Sequence, residues 1–600
     1  MKPSLNPSAL KEPRFLFFTG KGGVGKTSLA CATAIRLADE GKKVLLISTD
    51  PASNLHDVLE TELGPDIRKI NKLPGLSAVN INPAAAAQAY RERVINPLKG
   101  LVDEAALKKT AEELSGACTT EIASFDAFAR FVDEDKKASG FNHIIFDTAP
   151  SGHTLRLLEL PAAWSEFALK NPSGATCLGP SSALNNSRDR YQRVLEALRN
   201  PEKTCFYLVS RADEHSLAEA ARSGNEMIAL GFSHQFLQIN GVFKTSRKDD
   251  KLAMELEKQM QKRLKSIPES LQKLPRQEFP LLPYNLLGLE RLRSLFDQNL
   301  QEKLISLEES KLEVHQSLPD LDALMEEICA GGNSHGLILT MGKGGVGKTL
   351  AASAIAVKLA ERGHEVLLTT TDPAGHIGDF LGELDALPAG LETARIHPKE
   401  ETQKYIAKIM ARKGPGLDEE GRKLLLEDLQ SPCTEEVAVF HAFSNAISQS
   451  HRKFVVIDTA PTGHSLLLLD TTGTYHKEIM RHIRLGADKV RTPLMALQDK
   501  SLTKILLVAL PETTPMHEAA ALQEDLRRAG VEPFAWIINQ SLSMLSDLKD
   551  PVLVGRAGAE VAIIRNIREH LANRTFGIPF MTGDHLLPAL LKKPHLEKAN

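Results

Sequence analysis

The sequence predicts an α/β protein: two homologous, doubly wound, mostly parallel-sheet domains in one chain, each with a helical insertion. Three observations lead there. A glycine loop occurs twice, as Gly20-Lys21-Gly22-Gly23-Val24-Gly25-Lys26-Thr27 and as Gly342-Lys343-Gly344-Gly345-Val346-Gly347-Lys348-Thr349. Each copy stands between a short apolar run and a stretch with helical spacing, and a second apolar run follows. Asp50 follows Lys26 at the same distance as Asp372 follows Lys348. A repeat this specific overrides the length prior, under which 600 residues would suggest domains of ~150 residues each.

The elements follow in order. Residues 14–19 (RFLFFT) form the first buried strand, and 27–40 a helix with Leu29, Ala32, Ala34, Ile35 and Leu37 on its apolar face. Residues 43–48 (KVLLIS) give the next strand, ending at Thr49-Asp50-Pro51. Continuous apolar strands of this kind suit a sheet covered by helices on both faces. Residues 84–136 are mostly helical in pattern, and 143–146 return to strand before Asp147. Further strands are expected at 204–209, 235–239 and 278–282. The second half repeats the plan, with strands at 336–340, 365–370, 454–457, 504–508 and 535–538. The domains are expected at 1–305 and 336–600. Between them, 306–335 reads as a linker carrying one amphipathic helix over 318–329 and a break at Gly331-Gly332-Asn333-Ser334.

Composition narrows the function. A hydrophobic fraction of 42% beside 25% charged residues is the balance of a soluble globular protein. The net charge of −3, with both signs mixed along the chain, gives no nucleic-acid surface. No apolar run approaches the ~18 residues of a membrane helix, and the start has no signal-peptide core. A cytoplasmic protein is expected. The six cysteines, at 31, 118, 177, 205, 329 and 433, contain no C-x-x-C pair. Each one's default reading is a small buried hydrophobe.

Both loops satisfy G-x-x-x-x-G-K-[ST]. Backbone N–H groups can close on a phosphate chain only where side chains are absent, which is the use of Gly20, Gly22, Gly23 and Gly25 and of Gly342, Gly344, Gly345 and Gly347. Lys26 and Lys348 are expected on the β- and γ-phosphates of ATP, and Thr27 and Thr349 on Mg²⁺. Ser28 and Leu350, next in each helix, join the nucleotide contacts. Asp147 and Asp458 close apolar strands ahead of Thr-Ala-Pro, where a carboxylate can hold Mg²⁺ through water. Asp50 and Asp372 are the candidates to position the attacking water; the alternative for each is a turn or cap role. Asn240 and Asn539 follow matching strands and are read as adenine contacts, with a turn asparagine as the alternative.

More particular motifs accompany the loops. They are Ser48-Thr49-Asp50-Pro51-Ala52 with Thr370-Thr371-Asp372-Pro373-Ala374, and the two Asp-Thr-Ala-Pro-x-Gly-His segments ending at His153 and His464. To these add 115–121 (SGACTTE), 177–180 (CLGP), 431–436 (SPCTEE) and 511–515 (PETTP). With these residues the chain resembles the arsenite-transporting ATPases, a branch of the deviant phosphate-loop ATPases, over nearly its whole length.

The resemblance implies a P-loop ATPase with the two halves related by a pseudo-twofold axis, functional as a monomer. Arsenite or antimonite would stimulate its ATP hydrolysis, and it would energise an integral membrane efflux pump while lying peripherally on the inner membrane. An arsenite-delivering metallochaperone is a further implied partner. It implies that Lys21 and Lys343 each touch the ATP of the other half, and that Glu512 contacts nucleotide. It implies As(III) or Sb(III) on Cys118, Cys177 and Cys433, with His153 and His464 also associated with the metalloid. Soft thiolates suit a soft trivalent centre. Cys118-x-x-Glu121 and Cys433-x-x-Glu436 have capping-box spacing with cysteine in the serine position, which places both thiols at helix N-termini. The main alternative is a client-targeting ATPase for tail-anchored membrane proteins. Such factors carry a C-x-x-C zinc site, which this sequence lacks.

Overall fold

The structure is a computed structural model. It describes residues 13–49, 55–96, 99, 107, 117–133, 138–148, 190, 192–309, 317–371, 377–416, 418–429, 432–459, 492–583 and 585–592. The chain divides into two compact units, one of residues 1–311 with 550–552, the other of 312–549 with 553–600.

The first unit holds an eight-stranded sheet. Its strands in chain order are β1 (Phe15–Thr19), β2 (Val44–Ser48), β3 (Arg68–Lys69), β4 (Leu76–Asn80), β5 (His143–Asp147), β6 (Thr204–Arg211), β7 (Gln235–Val242) and β8 (Arg276–Pro280). They lie in the order β3-β4-β2-β5-β1-β6-β7-β8, and only β3 runs antiparallel to its neighbour. The second unit holds β9 (Gly336–Met341), β10 (Val366–Thr370), β11 (Leu391–Arg395), β12 (Phe454–Asp458), β13 (Thr503–Ala509), β14 (Ala535–Ser541) and β15 (Thr575–Pro579). Their order, β11-β10-β12-β9-β13-β14-β15, repeats the seven parallel strands of the first sheet. The duplication in the sequence is thus a duplication of topology.

Each sheet has a core on both faces, as continuous apolar strands require. In the first unit Phe15 and Phe17 face one core, while Leu16 and Phe18 face the other. Phe17 stacks on Phe146 at 4.4 Å and on Phe206 at 5.0 Å between ring centroids, across three strands in register. Such cross-strand pairs add stability beyond their buried area. In the second unit Leu339 and Ile457 pair across β9 and β12 in an aliphatic version of this row.

Between β4 and β5 the helices Pro83–Ile95 and Ala117–Val132 intervene. Between β11 and β12 the insertion holds Pro398–Lys413, Glu419–Leu429 and Pro432–Gln449. The segment read as a linker contains the helix Leu321–Ile328, whose Leu321, Leu324, Met325 and Ile328 are buried in the second unit's core. Four strands escaped the sequence reading: β3, β4, β11 and β15. The first is two exposed residues long, and four of the five residues of β11 are exposed. No helix among the described residues is long and apolar enough to cross a membrane.

Candidate functional site

The glycine loops leave the ends of β1 and β9, the strands at which chain order reverses in each sheet. Ligands of open parallel sheets lie at the carboxyl ends of the strands at such reversals. Each loop runs directly into a helix, Lys26–Asp39 or Lys348–Glu361. The capping residues, Gly25 and Gly347, have φ of 94° and 90°. A Cβ on Gly25 would fall 2.1 Å from the Asn240 amide nitrogen, and one on Gly347 2.0 Å from that of Asn539. Only glycine fits either position. Neither helix has a side-chain cap or an acidic residue in its first turn. The loop N–H groups and the positive dipole end are therefore available to an anion.

Charged side chains complete each cradle. Lys26 is buried, and its ammonium donates to the Lys21 carbonyl at 3.1 Å; Lys348 does the same to Lys343 at 2.9 Å. Both lysines thus fold back over their own loops. Thr27 Oγ1 donates to Asp147 Oδ2 at 2.8 Å, and Thr349 Oγ1 to Asp458 Oδ2 at 2.8 Å. Both aspartates end central strands and are buried. A hydroxyl and a carboxylate side by side form an oxygen-only donor set, which fits Mg²⁺ beside a phosphate. Thr370 Oγ1 adds a contact to Asp458 Oδ2 at 3.3 Å.

The asparagines act within the loops. Asn240 Nδ2 donates to the Val24 carbonyl at 2.9 Å and Asn539 Nδ2 to the Val346 carbonyl at 2.8 Å. Each straps the strand two places away, β7 or β14, to the phosphate loop, a role the sequence reading did not offer. Ser28 is partly exposed, whereas the Leu350 side chain packs into the core. Glu512 sits at the N-cap position of the helix Thr513–Arg528 without capping it, and accepts from Arg556 Nη2 at 3.2 Å. Its counterpart Asp213 does cap, accepting from Ser216 N at 2.8 Å. The Lys343 ammonium donates to Glu518, a residue that no sequence motif singles out.

Cys118 and Cys433 are each the second residue of a helix, Ala117–Val132 and Pro432–Gln449. Both therefore stand in a first turn, rather than at the cap position expected from the spacing. The expected positions Asp50, His153, Cys177, Asp372 and His464 lie outside the described residues. Cys31 and Cys205 are buried, and burial, with Asp147 nearby, pushes the Cys31 thiol well above its ordinary range.

The helix bearing Cys118 is anchored by Asp126, whose buried carboxylate accepts from Arg93, Arg130 and Arg190 at 2.8, 3.2 and 3.2 Å. Arg93 also lies over the Tyr90 ring. In the second unit His441 stands where Asp126 does and stacks on Tyr405. Burial and Lys408 lower its pKa. Sequence spacing places these residues on helices but carries no sign of the cluster.

The family model for anion-transporting ATPases matches residues 13–302 and 335–496, more than half of the chain. The chain belongs to the anion-transporting ATPase family. An arsenical pump-driving ATPase from Escherichia coli is 48% identical over 575 residues, covering 95% of this chain and 97% of that protein. Another, from Acidiphilium multivorum, is 47% identical over 584 residues, covering 97% and 98%. ATPase GET3 from Eremothecium gossypii is 31% identical over 306 residues, 47% of this chain and 87% of its own. As a family member the chain is an ATPase, and each half keeps its own loop, lysine and threonine–aspartate pair.

Proposed function

We propose that this ATPase couples ATP hydrolysis to the efflux of arsenite or antimonite through a separate membrane pump. The observation that carries the reading is the near-full-length similarity to relatives named arsenical pump-driving ATPases. ATPase GET3 from Eremothecium gossypii, matched over 87% of its own length, covers only 47% of this chain, which favours this reading over client targeting. The same reading places the protein in the cytoplasm, peripherally on the inner membrane through its pump. It acts as a monomer with two pseudo-symmetric halves, and an arsenite-delivering metallochaperone is a further proposed partner.

The chain's own groups divide the work. The loop N–H groups and Lys26 or Lys348 bind the triphosphate and neutralise charge that develops on it. Thr27 with Asp147, and Thr349 with Asp458, would hold Mg²⁺, which supplies further neutralisation of the phosphate oxygens. Asp50 and Asp372 orient the attacking water. Lys21 and Lys343 each complete charge neutralisation at the nucleotide of the other half, much as an arginine finger does. Asn240 and Asn539 keep the loops in register with the sheets, and Glu512 contributes to the second nucleotide site.

The metalloid enters as substrate and effector. Cys118 and Cys433 stand in the first turns of equivalent helices, where the dipole favours thiolate. With Cys177 they offer three soft ligands to one As(III) or Sb(III), and His153 and His464 are further candidate contacts. Arsenic retained by the full chain after gel filtration, measured by mass spectrometry, tests this. One metalloid per chain is expected, falling to background in Cys118→Ser and in Cys433→Ser. Equal retention by both variants would remove the cysteine site.

A further inference from the structure

The two lysines that follow the first loop glycines are held differently. In the second unit the Lys343 ammonium forms an ion pair with Glu518, the two side chains being 23% and 13% exposed. Glu518 lies in the second turn of the helix Thr513–Arg528. The residue at the same place in the first unit's helix Glu214–Ala229 is Glu219. Glu219 is already engaged. Arg222, one turn on, donates to it through Nε and Nη2 at 3.2 and 2.7 Å, and reaches Glu226 through Nη1 at 2.8 Å. The residue matching Arg222 in the second unit is Ala521. Alanine cannot compete for a carboxylate. Among the described residues Lys21 forms no ion pair.

We propose that Glu518 restrains Lys343 in the nucleotide-free protein, and that the Arg222/Ala521 difference decides which of the two lysines is restrained. The functional consequence rests on the reading that each of these lysines serves the nucleotide of the opposite half. On that reading, ATP on the first loop waits for Lys343 to leave Glu518, while ATP on the second loop meets no such delay. A triphosphate carries more charge than one carboxylate and offers more acceptors, so it can draw the lysine away once within reach. Glu518 is thus a positioning residue that holds resting hydrolysis down at one of two sites built from the same parts.

Competitive acetylation of the nucleotide-free full chain with acetic anhydride, read by peptide mass spectrometry, tests the restraint directly. Lys343 is expected to react more slowly than Lys21. Glu518→Gln removes the charge, and Ala521→Arg supplies a rival cation in the manner of Arg222. Both should bring Lys343 up to the rate of Lys21. Both should also raise metalloid-free turnover about fivefold, equivalent to ~1 kcal/mol, with the metalloid-stimulated maximum unchanged. Equal labelling of Lys21 and Lys343 in the unaltered protein would overturn the restraint, as would slow labelling of Lys343 that persists in Glu518→Gln. Faster labelling in these two variants with unchanged turnover, together with unchanged turnover in Lys343→Ala, would uphold the restraint and reject the cross-acting lysine instead.

Discussion

Glu560 makes the stability of the second unit depend on pH. Its carboxylate is buried on the helix Pro551–Asn566, where Oε2 accepts from Ser543 N at 2.9 Å and from the Ser541 hydroxyl at 3.0 Å. Burial outweighs these bonds and the nearby Arg556 and raises its pKa from 4.5 to about 7. The matching residue in the first unit is Met260, whose sulfur accepts from Phe243 N at 3.2 Å. Because the folded state holds the Glu560 proton more tightly than the unfolded chain, its stabilising effect is complete below pH 4.5 and is lost as pH rises through 7.

The shift sets an upper bound of about 3 kcal/mol on that loss. Glu560→Gln keeps the shape and the acceptor but cannot ionise. Near pH 5 it should match the unaltered protein. At pH 8 it should be more stable by up to about 3 kcal/mol, or roughly 6 °C in Tm for a unit of this size. Trp536 is buried in the second unit, so its fluorescence in a Trp164→Phe background follows that unit's unfolding. A Tm difference between the two proteins that is the same at pH 5 and pH 8 would refute the reasoning.

Gly25→Ala and Gly347→Ala should each weaken nucleotide binding at the altered half at least tenfold, about 1.4 kcal/mol, in a fluorescent-ATP titration. The new methyl meets an asparagine amide near 2 Å, and the backbone there is left-handed, a conformation that strains any other residue by ~1–3 kcal/mol. Asp126→Asn should lower first-unit stability by about 1–2 kcal/mol in a urea titration. Removing the acid leaves three arginines, but these are 35–48% exposed and can hydrate. The same variant should raise the arsenite concentration that half-saturates ATPase stimulation, because it loosens the helix that carries Cys118.

What the sequence could disclose divides along physical lines. The central strands were legible because both faces are covered, so 43–48 and 454–457 read as unbroken apolar runs. Three of the four edge strands were not, β8 being the exception: Arg68–Lys69 and Leu391–Arg395 are mostly exposed, and Thr575–Pro579 carries a glycine and a proline that read as turn. The loop chemistry was legible because its residues are contiguous. The partnership of Thr27 with Asp147 followed from knowing what must surround Mg²⁺. Contacts between distant positions stayed hidden, such as Lys343 with Glu518 or Asp126 with Arg190. Asn240 and Asn539 match one another in the sequence, but nothing in a sequence reveals that their amides also face the loop carbonyls. The cap spacing at Cys118 and Cys433 found the right helix ends but missed the register, because the helices begin before the cysteines.

Steady-state ATP turnover of the full chain, titrated separately with arsenite and antimonite, tests the central claim most directly. A saturable rise in rate is expected, absent from the Lys26→Ala/Lys348→Ala double variant. A rate that stays flat across both titrations, in protein that still binds and hydrolyses ATP, would contradict the coupling of metalloid to hydrolysis.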